Sequence, residues 1–206
     1  MKRIKFDSES LIPSKVICIG RNYVDHVKEL ANETPSEPVI FIKPNSAISE
    51  PIVLDGGEEI HYEGEICFLI LGGAVKGIGF GLDLTKRQLQ SMLKAKGLPW
   101  EKAKAFDGSA SFSEFIPFDG DLGQLRMEFY IDDELRQTAC YEQMIFKPDR
   151  FMADIHAFLT LEDGDIVMTG TPSGVGRLHP GEKLVGKVYL NDTLLVEKNW
   201  LVEGVK

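Results

Sequence analysis

The chain has 206 residues, 43% hydrophobic and 27% charged, with a formal net charge of −9. That length and composition fit one domain over residues 1–206 with a sizeable core. The acidic balance argues against nucleic acid and against an anionic membrane surface, since both reward a basic face, and leaves small anionic substrates open.

Residues 1–7 lack the apolar core of a signal peptide, and no apolar run is long enough to span a bilayer. Cys18, Cys67 and Cys140 are far apart, with no Cys-x-x-Cys spacing. Cys18 and Cys67 lie in apolar, strand-like runs and read as buried free thiols, which makes a reduced, cytoplasmic setting the default.

In chain order, residues 15–19 predict a buried strand ending at Gly20, and 21–30 a short helix followed by a Pro/Ser/Glu loop over 32–38. Residues 39–44, 52–54 and 60–71 continue the β pattern, the last containing the apolar run Ile66–Leu71 before Gly72-Gly73. Helical spacing covers 85–96 and stops at Gly97. Hairpin turns are predicted at 132–134 and 191–193, a helix at 150–158, and a strand at 166–168 that enters a Gly/Thr/Pro/Ser loop over 169–176. Strands dominate and βα alternation is absent, so the expected fold class is α+β and β-rich, rolled or sandwiched, rather than doubly wound.

Glu63 and Glu65 stand at the mouth of the most apolar strand. Residues two apart on a strand share a face. Two carboxylates so placed repel each other and resist desolvation, penalties that a hard divalent cation with oxygen ligands removes. Two solvated acids at a strand end are the plainer alternative. Asp83, where a β pattern hands over to a helix, is either a third carboxylate of the same site or that helix's N-terminal cap. His26 and Glu29, three apart on a predicted helix, read as an imidazole oriented by a carboxylate and free to take a proton, or as a solvated pair. His61 shares strand spacing with Glu63 and is either close to the site or an exposed strand residue. The cations Arg21, Lys43, Arg87 and Lys104 sit in apolar or Gly/Pro-marked sequence, where they meet buried anions or snorkel to water. The 169–176 loop suits close backbone approach to an anion, or a plain turn, and carries no Walker pattern.

These motifs in this order resemble the fumarylacetoacetate hydrolase family: Gly20-Arg21-Asn22-Tyr23 with His26 and Glu29; Phe41-Ile42-Lys43-Pro44; His61-Tyr62-Glu63-Gly64-Glu65; Leu82-Asp83-Leu84-Thr85 with Arg87 and Gln90; Gly97-Leu98-Pro99-Trp100 through Asp107; and the 169–176 loop. The resemblance is to the short acylpyruvate and fumarylpyruvate hydrolase branch. It implies a mixed β-sandwich roll, a homodimer, and Mg²⁺ (with Mn²⁺ or Ca²⁺ able to use the same site) held by Glu63, Glu65 and Asp83. It implies His26, Glu29 and Lys104 as catalytic residues, the first two on a mobile lid over residues 21–38. Arg21, Lys43, Arg87, Gln90 and Thr171 match positions around a 2-oxo acid substrate. Gln88 departs from the acid common beside the arginine in relatives, which puts support of Arg87 in question. The expected activity is hydrolytic cleavage of a 3-acylpyruvate to a carboxylic acid and pyruvate. The alternatives are oxaloacetate decarboxylation or tautomerisation, isomerisation of an unsaturated 2-oxo diacid, and non-catalytic metal or 2-oxo acid binding.

Overall fold

A computed structural model describes residues 1–29, 33–54 and 56–204. Two sheets face each other across the main core. The seven-stranded sheet runs Ala110–Phe112, Ala74–Asp83, Gly64–Leu71, Ile166–Met168, Lys15–Gly20, Val39–Pro44, with Ile116–Pro117 also paired to Ala74–Asp83. The five-stranded sheet runs Glu134–Cys140, Leu125–Ile131, Lys183–Leu190, Thr193–Gly204, Ile52–Leu54. Pairing is antiparallel except between Ile166–Met168 and Lys15–Gly20, and between Thr193–Gly204 and Ile52–Leu54. This is the expected β-rich α+β sandwich roll. No helix among the described residues is long and apolar enough to cross a membrane.

Alternation along the strands assigns the layers. Ile66, Phe68 and Ile70 point into the main core with Phe80 and Leu82, against Met127, Phe129, Val188 and Trp200 of the other sheet. Glu65, Cys67 and Leu69 take the opposite face, where a smaller core with Cys18, Phe112 and Phe115 forms. Both faces of Gly64–Leu71 are therefore covered, which is why its sequence is apolar without alternation. Cys18 and Cys67 are buried free thiols, as expected.

The hairpin turns fall where composition puts them. Asp132 and Asp133 both have positive φ (49° and 66°), as a two-residue hairpin loop of the primed type requires. The helices are shorter or shifted. The helix expected over 21–30 spans Val24–Glu29, because Arg21 turns out of the strand with a φ of 55°; residues 30–32, part of the expected lid, lie outside the described residues. The helix expected over 85–96 spans Arg87–Ala95, since Thr85–Lys86 pairs with Ile60–His61 instead. The continuous strand expected over 60–71 is two strands in two sheets, Ile60–Tyr62 and Gly64–Leu71, and Glu63 is the hinge between them.

The two main sheets meet through rings. Phe80 stacks near Phe129 (centroids 5.8 Å, 14° between planes) and lies 6.0 Å from Trp200. Gly186, on the facing sheet, makes room for it: a Cβ there would sit 2.3 Å from the Phe80 ring. We expect Gly186→Val to destabilise the fold by about 2–3 kcal/mol through overpacking, read as a lower urea midpoint at unchanged slope. A change below about 0.5 kcal/mol, within the range of surface substitutions, would refute this account of sheet packing.

Candidate metal centre

Glu63, Glu65 and Asp83 come together at one end of two antiparallel strands. Glu65 lies opposite Gly81, and the Asp83 N–H donates to the Glu63 carbonyl at 2.9 Å, so all three carboxylates leave the same face. Each is buried. One oxygen from each lies within 4.8 Å of the others.

Cations hold the acids in place. Lys104 spends its three N–H bonds on Glu63 Oε2 (2.7 Å), Asp83 Oδ2 (2.7 Å) and Thr85 Oγ1 (2.6 Å). Arg87 pairs with Glu63 and donates to Gln90 Oε1 at 2.7 Å. Burial works to raise Glu63, but Lys104 and Arg87 outweigh it and hold that carboxyl well below the ordinary range. Burial likewise works to lower Lys104, and Asp83 and Glu63 outweigh it, raising the ammonium above the ordinary lysine value. Glu65 goes the other way. Burial, then Asp83 and Glu63, push it well up, and neither Lys104 nor the hydrogen bond from the Gly170 N–H at 2.7 Å compensates.

The expected helix-capping alternative for Asp83 is not what forms. Its strand ends at Asp83, the helix begins at Arg87, and no side chain caps it. Lys43 also departs from expectation. It does not reach the cavity where a substrate carboxylate would lie. Its fully buried ammonium donates to the Lys104 and Ser109 carbonyls beneath the site and stands 2.8 Å from Asp83 Oδ1. That ammonium balances the charge of Asp83 Oδ1, but the buried oxygen has no hydrogen bond of good geometry.

That unbonded oxygen, the raised Glu65 and an all-carboxylate donor set fit a hard divalent cation, whose oxygen ligands at about 2.0–2.6 Å span such separations.

His26 is buried beside the carboxylates, and burial lowers its pKa, with Glu63 pulling back toward the charged form. Its Nδ1 lies 3.3 Å from Glu29 Oε2, while Glu29 Oε1 accepts the Gly174 N–H at 3.0 Å. The dyad helix is thus tied to the 169–176 loop. Arg21, His26, Arg87, Gln90, Lys104 and Thr171 share a cavity with the three acids. His61 does not; its Nε2 contacts Glu59 Oε1 at 2.6 Å. Gln88 bonds Glu59 as well and leaves Arg87 to Glu63 and Gln90, so the departure at 88 does not undo the arginine.

Lys94 and Gln137 carried no clear sequence signal, and Trp100 entered only as part of the 97–107 motif. Trp100 and Lys94 line the cavity. Gln137, from the other sheet, is buried and bridges the site: its Oε1 accepts the Gly64 N–H at 2.9 Å, and its Nε2 donates to Thr171 Oγ1 at 2.8 Å and the Pro172 carbonyl at 3.0 Å.

Residues 15–197 match the family described as fumarylacetoacetate (FAA) hydrolase, C-terminal. The chain belongs to that family. It is 41% identical over 190 residues to the oxaloacetate tautomerase YcgM of Escherichia coli K12, covering 83% of this chain and 86% of that one. It is 39% identical to the mitochondrial oxaloacetate decarboxylase of Dictyostelium discoideum, over 82% of this chain and 85% of the relative. Among solved structures it is similar to a fumarylpyruvate hydrolase of Pseudomonas aeruginosa in complex with Mn²⁺ and pyruvate (TM-score 0.87, 28% identity, 99% of this chain and 96% of that one).

The raised Glu65 carboxyl makes metal and proton competitors. Protonated Glu65 is a poor ligand, so affinity for Mg²⁺ or Mn²⁺ rises with pH as Glu65 ionises, and binding releases a proton. Calorimetric titration at low and neutral pH, in buffers of different ionisation enthalpy, measures both. Glu65→Gln weakens binding and flattens its pH dependence; a Glu65→Gln protein with unchanged metal affinity removes Glu65 from the site.

Proposed function

We propose that this chain is a divalent-metal-dependent enzyme that interconverts the keto and enol forms of oxaloacetate. The observation that carries the reading is one cavity in which a buried histidine, kept neutral by burial, faces three clustered carboxylates. Support for oxaloacetate comes from the two relatives at 41% and 39% identity, named for its tautomerisation and its decarboxylation. Acylpyruvate hydrolysis, the first expectation from the motifs, draws on a neighbour at 28% identity.

Glu63, Glu65 and Asp83 would hold the cation, Mg²⁺ or Mn²⁺, which when bound supplies Lewis acidity toward the 2-oxo group. The remaining work falls to the chain. Arg87 and Gln90, joined to each other and to Glu63, orient the 2-oxo acid end of the substrate. Glu29 holds His26 Nδ1, leaving Nε2 as the nitrogen that takes a proton. His26 removes a proton from C3 of the keto form; the C–H electron pair becomes the C2=C3 bond, and the carbonyl pair moves to the 2-oxygen. The imidazolium returns a proton to that oxygen, completing the enol, and the reverse path regenerates the ketone. Lys104, its three donors engaged by Glu63, Asp83 and Thr85, acts by fixing the carboxylates. No attacking water is required. Assembly as a homodimer belongs to the same proposal.

The test follows enol absorbance, malate dehydrogenase-coupled keto oxaloacetate, and NMR-detected pyruvate, with Mg²⁺ and with chelator. Metal-dependent acceleration of enol loss, with ketone gained in equal amount, is the expected result. Pyruvate and CO₂ in place of ketone make the chain a decarboxylase, and turnover of acetylpyruvate or fumarylpyruvate alone overturns the proposal.

The base must be neutral to act. Burial lowers the His26 pKa, so activity holds at neutral pH and declines only as pH falls through a value below the ordinary histidine pKa of about 6.5. His26→Gln should cut kcat by about 10²–10⁴-fold, the usual contribution of a positioned base. An acidic limb above that ordinary value, or full activity in the variant, argues against His26 as the base.

A further inference from the structure

The peptide between Thr169 and Gly170 is bonded on both sides. Its N–H donates to Glu65 Oε2 at 2.7 Å, and its carbonyl oxygen, that of Thr169, accepts from Asn22 Nδ2 at 2.8 Å. A peptide is planar, with N–H and C=O pointing opposite ways, so the Asn22 amide fixes the plane that aims a donor at Glu65. Asn22 is fully buried. Its Nδ2 also donates to the Phe146 carbonyl at 3.1 Å, and its Oδ1 accepts the Phe146 N–H at 2.7 Å. Its own carbonyl accepts the Ile145 N–H at 2.7 Å. The neighbours of the peptide are held as firmly: the Thr169 N–H and hydroxyl both donate to the Ile66 carbonyl, at 3.1 and 3.0 Å. Gly170 has a φ of 102°, and a Cβ there would lie 2.8 Å from the Asn22 Cβ, so glycine is what lets the two segments come this close.

We propose that Asn22 is a positioning residue of the metal centre, acting on Glu65 through the Thr169–Gly170 peptide. This role rests on reading Glu65 as a metal ligand. Lysine and arginine side chains bond Glu63 and Asp83, whereas Glu65 takes a backbone N–H, so its orientation depends on how that peptide lies. The bond occupies Oε2 and leaves Oε1 for a cation. A carbonyl that accepts a hydrogen bond also polarises its peptide and strengthens the N–H as a donor. Asn22 precedes His26 by four residues, so one amide ties the acid and the base to the same point of the fold.

Asn45 supplies a matched control. It is buried, and its amide makes the same set of backbone bonds: Nδ2 to the Lys2 and Pro13 carbonyls at 2.9 and 2.8 Å, Oδ1 from the Lys2 N–H at 2.7 Å. It anchors the N-terminal segment rather than the loop of Gly170. In calorimetric titrations with Mn²⁺, Asn22→Ala should weaken binding about tenfold, the low end of what losing a partner behind a metal ligand costs, and Asn45→Ala by less than about twofold. Thermal melts check that each variant is folded, and Asn22→Ser, which keeps a polar group in place, carries the test where the alanine variant is not. In nitrogen–proton correlation spectra of the metal-free protein, the Gly170 amide proton should move upfield in Asn22→Ala and stay in place in Asn45→Ala. In a Glu65→Gln background the cost of Asn22→Ala should shrink below about twofold, because the effect passes through that carboxylate. Unchanged Mn²⁺ affinity in the Asn22 variants beside a loss in Glu65→Gln, or an equal loss in the Asn22 and Asn45 variants, overturns the positioning role and leaves the metal centre standing. Unchanged affinity in Glu65→Gln removes Glu65 from the metal centre and this role with it.

Discussion

Three carboxylates packed into a buried corner set the constraint that the rest of this structure answers. Left alone, Glu63, Glu65 and Asp83 would repel one another and lose hydration together. The chain answers with Lys104 among them, Arg87 on Glu63 and Lys43 beneath Asp83. These cations neutralise Glu63 well and Glu65 poorly, as the opposite directions of their pKa shifts record. The imbalance is useful. A corner satisfied entirely by lysine and arginine would have no affinity left for a metal, whereas a raised carboxyl and an unbonded Asp83 oxygen leave a cation something to gain.

The fold supplies that corner by changing sheets at Glu63. Had residues 60–71 run on as one strand, they would belong to one sheet and Tyr62 would not reach the facing one. The break lets Ile60–Tyr62 pair with Thr85–Lys86 and Gly176–Arg177 while Gly64–Leu71 enters the main sheet. Gly64, between the two glutamates, has no room for a side chain: a Cβ would lie 2.9 Å from Phe80 and 3.1 Å from Gln137. Gln137 fills the position opposite, and its one amide group touches the backbone between two acids and the loop that carries Thr171. That same loop donates Gly170 N–H to Glu65 and Gly174 N–H to Glu29. The acids, the 169–176 loop and the dyad are therefore one hydrogen-bonded unit, joined by a side chain from the other sheet.

Much of the acidic corner was legible because strand periodicity is local: residues 63 and 65 share a face whatever lies around them. Asp83 was ambiguous because an acid before a helix has a common alternative as a cap, and only the short pairing of Thr85–Lys86 with Ile60–His61 decides against it. Lys43 was misread for a related reason. Strand position puts it at the right level of the sheet, but not on the side of Asp83 away from solvent, which depends on where the Lys104 and Ser109 carbonyls come to rest. Gln137 left no trace, since a glutamine in a hairpin strand of alternating burial looks like any other polar residue until the loop it holds is in view. Lys94 was within reach: the spacing from Arg87 and Gln90 follows a single helical face, yet a lysine near a helix C-terminus is so often solvated that periodicity alone gives it no weight.

The same arrangement bears on why one family includes tautomerases, decarboxylases and hydrolases. All three reactions pass through charge developing on the 2-oxygen of a ketoacid, and an acidic corner able to hold a divalent cation suits that charge regardless of which bond at C3 changes. What separates them is what leaves C3 or attacks beyond it: a proton, CO₂, or an acyl group taken by water. Those differences call on groups other than the triad, and for a proton at C3 the group at hand is His26, buried beside the carboxylates with its Nδ1 turned to Glu29.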